Sequence, residues 1–273
     1  MSVFTIRTLA LLVLVALLGL TSCSGPSSAR AGSPEFYWSA AKETYNAGDY
    51  LKTLDDLDRL IETKNDYTAR AIPWSLMLTS GVAAGYIELA DAYSSGARVK
   101  KNESVVAFHR KASEYRNMAN PLVLRFAQNI NQLDQLPPGS VSLAFAPPKG
   151  NFAIPAVLAK ISAGIQPSVE DGEAALTLAI ERNVLLSACL AAGAKDDTAK
   201  ARQILGHAST ITPRATFVNG LAQMLDFDSR LYSRDRLDNT EKLGILRKRA
   251  EILHNDAARA ASAMVVSVQS ASR

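Results

Sequence analysis

Residues 37–61 read YWSAAKETYNAGDYLKTLDDLDRLI and contain two amphipathic runs on either side of a glycine turn. After the turn, apolar residues recur at three- and four-residue steps: Tyr50, Leu54, Leu57 and Ile61. This period is that of an α-helix with one apolar face. Ser33 and Pro34 form a suitable helix start, because proline at the first helical position lacks only an N–H that has no intrahelical partner. The stretch therefore predicts a helical hairpin.

Similar helix-start and turn residues recur along the chain and predict further hairpins. Pro73, Pro121 and Pro213 each precede an apolar periodic run, and Pro167 gives a weaker start. Four loops share a layout in which an apolar or aromatic residue is followed by small, glycine or aspartate residues and a polar turn: 45–50, 93–102, 190–200 and 232–240. Units beginning at 34, 73, about 167 and 213 would recur at the spacing of helical-hairpin arrays. An ordinary non-repeating bundle is the alternative.

Residues 37–61 resemble the tetratricopeptide repeat family. Small and aromatic residues fill the first helix, AGDY stands at the turn (47–50), and leucines fill the second helix. Thr53 departs from the pattern, because the family prefers alanine there, and the other units are longer than the family's repeat. The resemblance implies an all-α helical-hairpin solenoid or bundle whose concave face binds peptide or protein. It supplies no catalytic residues.

A Pro/Gly-rich stretch divides the helical part of the chain. Residues 137–155 contain two Pro-Pro pairs and a further proline, so no helix is expected to run through them, although SVSLAF (140–145) suits a short extended segment. We read this stretch as a joint between an N-terminal half, 34–136, and a C-terminal half, 156–266. A loop that covers the concave face or meets a partner is the alternative. An a/d seam over 243–264 predicts a long last helix, which packs internally or self-associates.

The first residues have the layout of a signal peptide. Arg7 is followed by an apolar run, Leu9 to Leu20, that is shorter than the roughly 18 residues of a spanning helix. Residues 20–23, Leu-Thr-Ser-Cys, resemble the lipobox of bacterial lipoproteins. The resemblance implies removal of residues 1–22, and acylation of Cys23 with two or three fatty chains, palmitate among the usual ones. Such chains anchor a protein stably in membrane lipid.

The residues after Cys23 refine this expectation. In Gram-negative lipoproteins an aspartate at the next position commonly retains the protein at the inner membrane, and Ser24 stands there instead. The resemblance thus favours the periplasmic face of the outer membrane. Residues 23–33 are small, polar and Pro/Gly-bearing, which is typical of a flexible tether. The other cysteine, Cys189, lies in an apolar helical context that predicts a buried, unreactive thiol.

Charge and motifs point away from several function classes. Cleavage would remove one base, Arg7, and lower the formal net charge from +4 to +3, too little to indicate a nucleic-acid partner. Glu251 and His254 have the spacing of a di-iron helix but lack the further carboxylates that such a site needs. His109 and His207 have no glutamate three residues before them. The acidic run 55–58 lacks the glycine and spacing of a calcium loop. No P-loop, G-x-S-x-G, G-x-G-x-x-G or CxxC motif occurs.

From these features we expect no catalytic residue, no cofactor and no metal, and a function in binding rather than catalysis. The chain is predicted to be a lipid-anchored binding or assembly module of the cell envelope, with Cys23 as its lipidation site and an envelope protein as its partner. One alternative is an accessory lipoprotein of a periplasmic solute transporter, of the T-component type. The other is an envelope enzyme whose site the sequence does not reveal. The oligomeric state is left open.

Overall fold

A computed structural model describes residues 30–99, 104–137, 139–195, 197–206 and 210–224. Helices dominate this part of the chain, and the only sheet within it has two short strands. The all-α prediction is therefore confirmed. The elements, in chain order, are α1 (Pro34–Ala47), α2 (Tyr50–Glu62), α3 (Thr68–Val99), α4 (Ser104–Gln135), β1 (Ser140–Leu143), α5 (Ala156–Ser162), α6 (Val169–Ala191), α7 (Thr198–Leu205), β2 (Thr210–Pro213) and α8 (Arg214–Met224).

The first hairpin forms as its caps predict. The Ser33 hydroxyl accepts a hydrogen bond from the Phe36 N–H, and Pro34 opens α1. Gly48 ends α1 with φ of 87°, a left-handed conformation that glycine adopts without steric cost. One residue later the Asp49 carboxylate accepts from the Lys52 N–H and caps α2. The glycine and the aspartate of the turn thus satisfy backbone groups that the two helix ends leave without intrahelical partners.

Packing inside this hairpin explains Thr53. Its side chain is buried, and its hydroxyl lies 2.8 Å from the Asp49 carbonyl and 3.0 Å from the Thr44 hydroxyl. A buried hydroxyl needs such partners, so the position tolerates threonine where alanine is the usual residue. Ala41 is fully buried between the two helices, as expected from its small size, whereas Ala47 is exposed and does not pack against α2.

Two predicted helix starts are wrong. Pro73 and Pro121 lie inside α3 and α4 instead of at their first positions. The α3 helix begins earlier because Asn65 and Thr68 organise the preceding turn. The side-chain oxygen of Asn65 accepts a hydrogen bond from the Tyr67 N–H, and the Thr68 hydroxyl accepts one from the Asn65 N–H. In α4 the apolar stripe runs uninterrupted past Pro121 and packs on α3. This burial outweighs a proline cost of about 3 kcal/mol. The stripe comprises Phe108, Ala112, Tyr115, Ala119, Leu122, Phe126, Ile130 and Leu133.

Two glycines bring α6 against α3. A Cβ atom at Gly81 would lie 2.7 Å from the Val184 Cα, and one at Gly85 would lie 2.8 Å from the Ile180 Cα. Side chains at these positions would keep the helices apart, so glycine permits the close approach. Buried polar contacts cross the same interface. Ser80 and Ser187 hydroxyls lie 2.8 Å apart.

The α6 helix is long and apolar enough to cross a membrane by length and composition alone. Half of its most apolar window is buried in the protein, and the helix packs largely against α3, so its length and composition are only weak evidence for a membrane span. The predicted α6 start at Ser168 is confirmed, because the Ser168 hydroxyl accepts from the Asp171 N–H. The predicted turn before α7 is confirmed as well, with Asp197 capping Lys200.

Residues 140–143 of the expected extended segment form the strand β1. β1 pairs antiparallel with β2, and Val141 lies opposite Thr212. Val141, Leu143 and Phe145 are buried in the main hydrophobic core, which also includes side chains of α1, α3, α4 and α6. The helix predicted near Pro213 begins at Arg214, because Pro213 itself is the last residue of β2.

The helical pairs differ in length, and the repeat stays a prediction. The first hairpin has helices of 14 and 13 residues, whereas α3 and α4 each have 32. The predicted signal peptide, most of the tether, and the last helix over 243–264 lie outside the described residues.

Candidate functional site

A cleft of about 300 Å³ opens where the α3–α4 hairpin meets the start of α6. We call it the tyrosine cleft. Its wall on the hairpin is formed by Tyr93, Lys111 and Tyr115, and its opposite wall comes from the turn before α6 and the first two turns of that helix. The second wall comprises Gln166, Pro167, Ser168, Val169, Gly172, Glu173 and Leu176.

Helical periodicity places the aromatic side chains of the cleft. Tyr86 and Tyr93 are seven residues apart on α3, as are Phe108 and Tyr115 on α4, so each pair lies on one helix face. The Tyr93 and Tyr115 rings stack with centroids 5.8 Å apart, and Tyr86 stacks on Tyr115 at 6.4 Å. Phe108 meets the Tyr93 ring edge-on at 5.3 Å. Offset and edge contacts of this kind stabilise an aromatic cluster beyond simple burial.

The tyrosine hydroxyls stay protonated at any physiological pH. Burial raises the pKa of Tyr93 to about 12, and the neighbouring Tyr115 and Glu114 add to the rise. Burial likewise raises the pKa of Tyr86 and of Tyr115. A neutral phenol is both a hydrogen-bond donor and an acceptor. The hydroxyls are therefore hydrogen-bonding groups rather than phenolate nucleophiles.

The opposite wall is the N-terminus of α6. The Ser168 hydroxyl is committed to capping, at 3.1 Å from the Asp171 nitrogen, and Glu170 and Asp171 complement the positive end of the helix dipole. Hydrogen bonds from the backbone and from Ser168 lower the pKa of Glu170 and outweigh the opposing effect of burial. A Cβ atom at Gly172 would meet nothing within 4 Å, so this glycine leaves the cleft open at its centre.

Apolar side chains are exposed at the rim. Val169 is 75 % exposed, and Ile165, which precedes the cleft by one residue, is 54 % exposed. Charges of both signs accompany them. The Lys111 ammonium lies 2.7 Å from a Glu114 carboxylate oxygen on the hairpin side, and Glu173 stands on the α6 side. Exposed aliphatic side chains within a charged rim are common at protein-binding sites.

The chemistry available in the cleft is that of non-covalent recognition. Its hydroxyl-bearing serine caps a helix, its lysine is paired with a glutamate, and its tyrosines are held neutral. Within the described ranges, no three histidine, cysteine, aspartate or glutamate side chains are grouped so that they could hold a metal ion.

Of the residues singled out from the sequence, those that the structure describes do not line the cleft. His109 is exposed on α4, and Cys189 is buried in α6, as predicted. Asp55 and Asp58 lie on α2 and pair with Arg125 of α4 at 2.9 and 2.8 Å, so the acidic run joins two helices. The other candidates, Cys23, His207, Glu251 and His254, lie outside the described residues.

Sequence reasoning missed the tyrosines as a site. Phe108 and Tyr115 belong to the apolar face of α4, which its helical period alone explains. The sequence signal that indicates an aromatic cluster is the matched seven-residue spacing of Tyr86 with Tyr93 and of Phe108 with Tyr115 on consecutive helices. In an antiparallel hairpin this spacing brings two aromatic pairs together.

Comparison with family models, with curated proteins and with solved structures finds no match.

Proposed function

We propose that this protein is a lipid-anchored binding or assembly module of the cell envelope and that the tyrosine cleft binds its protein partner. The observation that carries the proposal is the exposed Val169, which stands beside the stacked Tyr93 and Tyr115 rings. An aliphatic side chain that is three-quarters exposed is not buried by any of the residues that the structure describes. A partner that covers it would remove this apolar surface from water.

The composition of the cleft supports a protein partner. Tyrosine is enriched at the energetic centres of interfaces, because its ring buries much area and its hydroxyl keeps a polar contact. Here both rings are packed in place by neighbours, so little conformational entropy is lost when a partner binds. The paired Lys111 and Glu114 and the separate Glu173 supply a polar rim. Tyr93 and Tyr115, which are 3 % and 8 % exposed, thus form the rigid floor of the proposed site, and Val169 offers the apolar surface that a partner would cover.

The anchor is the second part of the proposal. The sequence alone supports it, through the apolar run that ends in Leu-Thr-Ser-Cys23. Two or three acyl chains at Cys23 would hold the protein at the membrane without any further apolar surface. The tyrosine cleft is then available to a protein partner instead of to lipid.

The alternatives make different demands on the structure. An accessory role in solute transport calls for a deep apolar cavity within the helices. Three clefts among the described residues hold about 270 to 340 Å³ and lie at junctions between elements instead. An enzyme calls for acidic and histidine side chains that converge in a cleft. The cleft that joins the two predicted halves offers tyrosine, lysine and glutamate instead.

The test uses two matched surface variants of the full-length protein. Val169→Glu adds one negative charge at the cleft, and Val106→Glu adds the same charge at a 73 % exposed position in the first turn of α4, outside the cleft lining. Both variants are expected to fold, since both side chains are exposed. Each protein is captured from detergent-solubilised envelope, and co-purifying proteins are quantified by mass spectrometry.

We expect a specific partner to co-purify with the wild type and with Val106→Glu, and to be lost from Val169→Glu. A partner that is retained equally by all three proteins contradicts the assignment of the cleft. A measurable turnover that persists in Val169→Glu, with no partner in any sample, would replace the binding proposal by an enzyme.

A further inference from the structure

A second cleft, of about 270 Å³, lies near the other end of α3, and we call it the tryptophan cleft. Its walls come from the last turns of α1, from Trp74 near the start of α3, from the segment that follows β1, and from the end of α7. The lining residues are Lys42, Tyr45, Asn46, Trp74, Leu143, Ala144, Phe145, Ala146, Leu205 and Gly206. None of them lines the tyrosine cleft.

The walls of the tryptophan cleft are held by aromatic packing. The Trp74 ring meets Trp38 and Tyr45 edge-on, with centroids 5.4 and 5.3 Å apart, and stacks on Phe145 at 6.2 Å. The Tyr45 hydroxyl donates a hydrogen bond of 2.6 Å to the Ala146 carbonyl oxygen. Burial raises the pKa of Tyr45 well above its usual value, so the hydroxyl remains a donor. The cleft is therefore preformed.

Two donors at this cleft have no acceptor within the described residues. The Trp74 side chain is 1 % exposed, and its indole N–H is buried without a hydrogen-bond partner. An unsatisfied buried donor costs free energy that an acceptor would recover. The Lys42 ammonium lies 5.3 Å from the centre of the Trp38 ring and forms no ion pair with the part of the chain described. Trp38 is thus a shared neighbour of both donors.

The rest of the lining defines the complementary molecule. Among the described residues, the lining holds no carboxylate, one cation at Lys42, one carboxamide at Asn46, and apolar side chains at Leu143, Phe145 and Leu205. A ligand that carries negative charge and acceptor oxygens at one end and hydrocarbon at the other would meet each of these groups. The volume is near the lower end of the range for small-molecule sites, roughly 300 Å³.

We propose that the tryptophan cleft binds a small organic carboxylate, whose oxygens accept hydrogen bonds from the Trp74 indole and the Lys42 ammonium and whose hydrocarbon part packs against Phe145. This proposal is independent of the tyrosine cleft and of its partner. Charge-assisted bonds to a carboxylate are stronger than bonds to a neutral carbonyl. The site should therefore prefer the carboxylate to an amide of the same shape.

The chain supplies its own reporter for the test, because its two tryptophans, Trp38 and Trp74, both belong to this cluster. The full-length protein in detergent is titrated with hexanoate and, separately, with hexanamide, while intrinsic tryptophan fluorescence is followed. Hexanamide has the same number of non-hydrogen atoms and no charge. For a ligand of this size we expect a Kd in the millimolar range.

Variants at exposed lysines separate the site from a general charge effect. Lys42→Gln should weaken hexanoate binding about tenfold and leave hexanamide unchanged, whereas Lys52→Gln, a change of the same kind on α2 outside the cleft, should change neither. Trp74→Phe keeps an aromatic ring and removes the donor, so it should weaken both ligands, with Trp38 as the remaining reporter. Circular dichroism checks that each variant is folded.

The proposal is overturned if hexanoate gives no saturable change, if hexanamide binds as tightly as hexanoate, or if Lys42→Gln binds hexanoate like the wild type. Loss of the partner in Val169→Glu protein bears only on the tyrosine cleft, so the two proposals fail separately.

Discussion

Alanine at Gly81 or Gly85 should destabilise the protein, although alanine is normally the better helix former. Both glycines face α6 from successive turns of α3, and an added methyl would lie 2.7 or 2.8 Å from α6 backbone atoms. A backbone atom cannot rotate away as a flexible side chain can. The two helices would therefore have to separate.

The magnitude follows from two opposing effects. Replacing glycine by alanine in a helix interior gains about 1 kcal/mol. To reach an ordinary carbon–carbon distance, α6 must move by about 1 Å, which stretches the bonds that cross the interface. These include the 2.8 Å contact between Ser80 and Ser187 and the 2.7 Å ion pair between Glu88 and Arg182. Overpacking and loss of these bonds cost roughly 2–4 kcal/mol, which leaves a net loss of about 1–3 kcal/mol.

Gly172→Ala is the matched control. Gly172 lies in the first turns of α6, and its added methyl would meet nothing within 4 Å. This variant should gain up to about 1 kcal/mol. Urea unfolding followed by far-UV circular dichroism gives the free energy of unfolding of each protein. If Gly81→Ala and Gly85→Ala are as stable as Gly172→Ala, the close helix contact is refuted.

Three other predictions concern the hairpin, an acid and the anchor. Ala41→Trp should lower the free energy of unfolding by about 1–3 kcal/mol, because Ala41 is fully buried. Ala47→Trp, at an exposed position, should change it little. Equal melting temperatures of the two variants would contradict the hairpin packing. Burial raises the pKa of Asp58 from its ordinary value of 3.8 to about 6 despite the opposing effect of Arg125. The folded state therefore binds this proton more tightly than the unfolded state, and the stability gained by protonating Asp58 is lost as pH rises from about 4 through 6. Between pH 7 and pH 5 the wild type should gain about 1 kcal/mol that Asp58→Asn does not show in the same unfolding assay. Cys23→Ala should move the protein from the membrane fraction to the supernatant and abolish incorporation of labelled fatty acid, and a variant that still pellets with membranes would argue against the anchor.

Local signals in the sequence were sufficient for the first hairpin. Ser33, Gly48 and Asp49 act on neighbouring backbone groups, so their effects can be read from the chain alone. The proline signal failed at Pro73 because Asn65 and Thr68 offer a competing start five to eight residues earlier. It failed at Pro121 because burial of a long apolar stripe outweighs one lost hydrogen bond.

The sites were beyond local reasoning for a different reason. The tyrosine cleft joins Tyr93 to Val169, and the tryptophan cleft joins Lys42 to Phe145, residues that are far apart in the chain. Only the packing of α6 and of the β1 segment against the hairpins brings them together. Gly81 and Gly85 permit that packing because they have no side chain, yet in the sequence they resemble ordinary residues that weaken a helix.

The length of α3 bears on where a partner can be met. Trp38, near the start of α1, stacks on Tyr67 at 5.2 Å, so the chain enters the fold beside the first residues of α3. Tyr93 lies roughly 28 Å further along that helix than Trp74. A ten-residue flexible tether typically spans about 17 Å. In the proposed anchored protein, the tether and α3 together separate the tyrosines from the membrane, and α3 contributes the longer distance. A partner embedded in the same bilayer would need a domain that extends up to about 45 Å from the membrane surface to reach the tyrosine cleft.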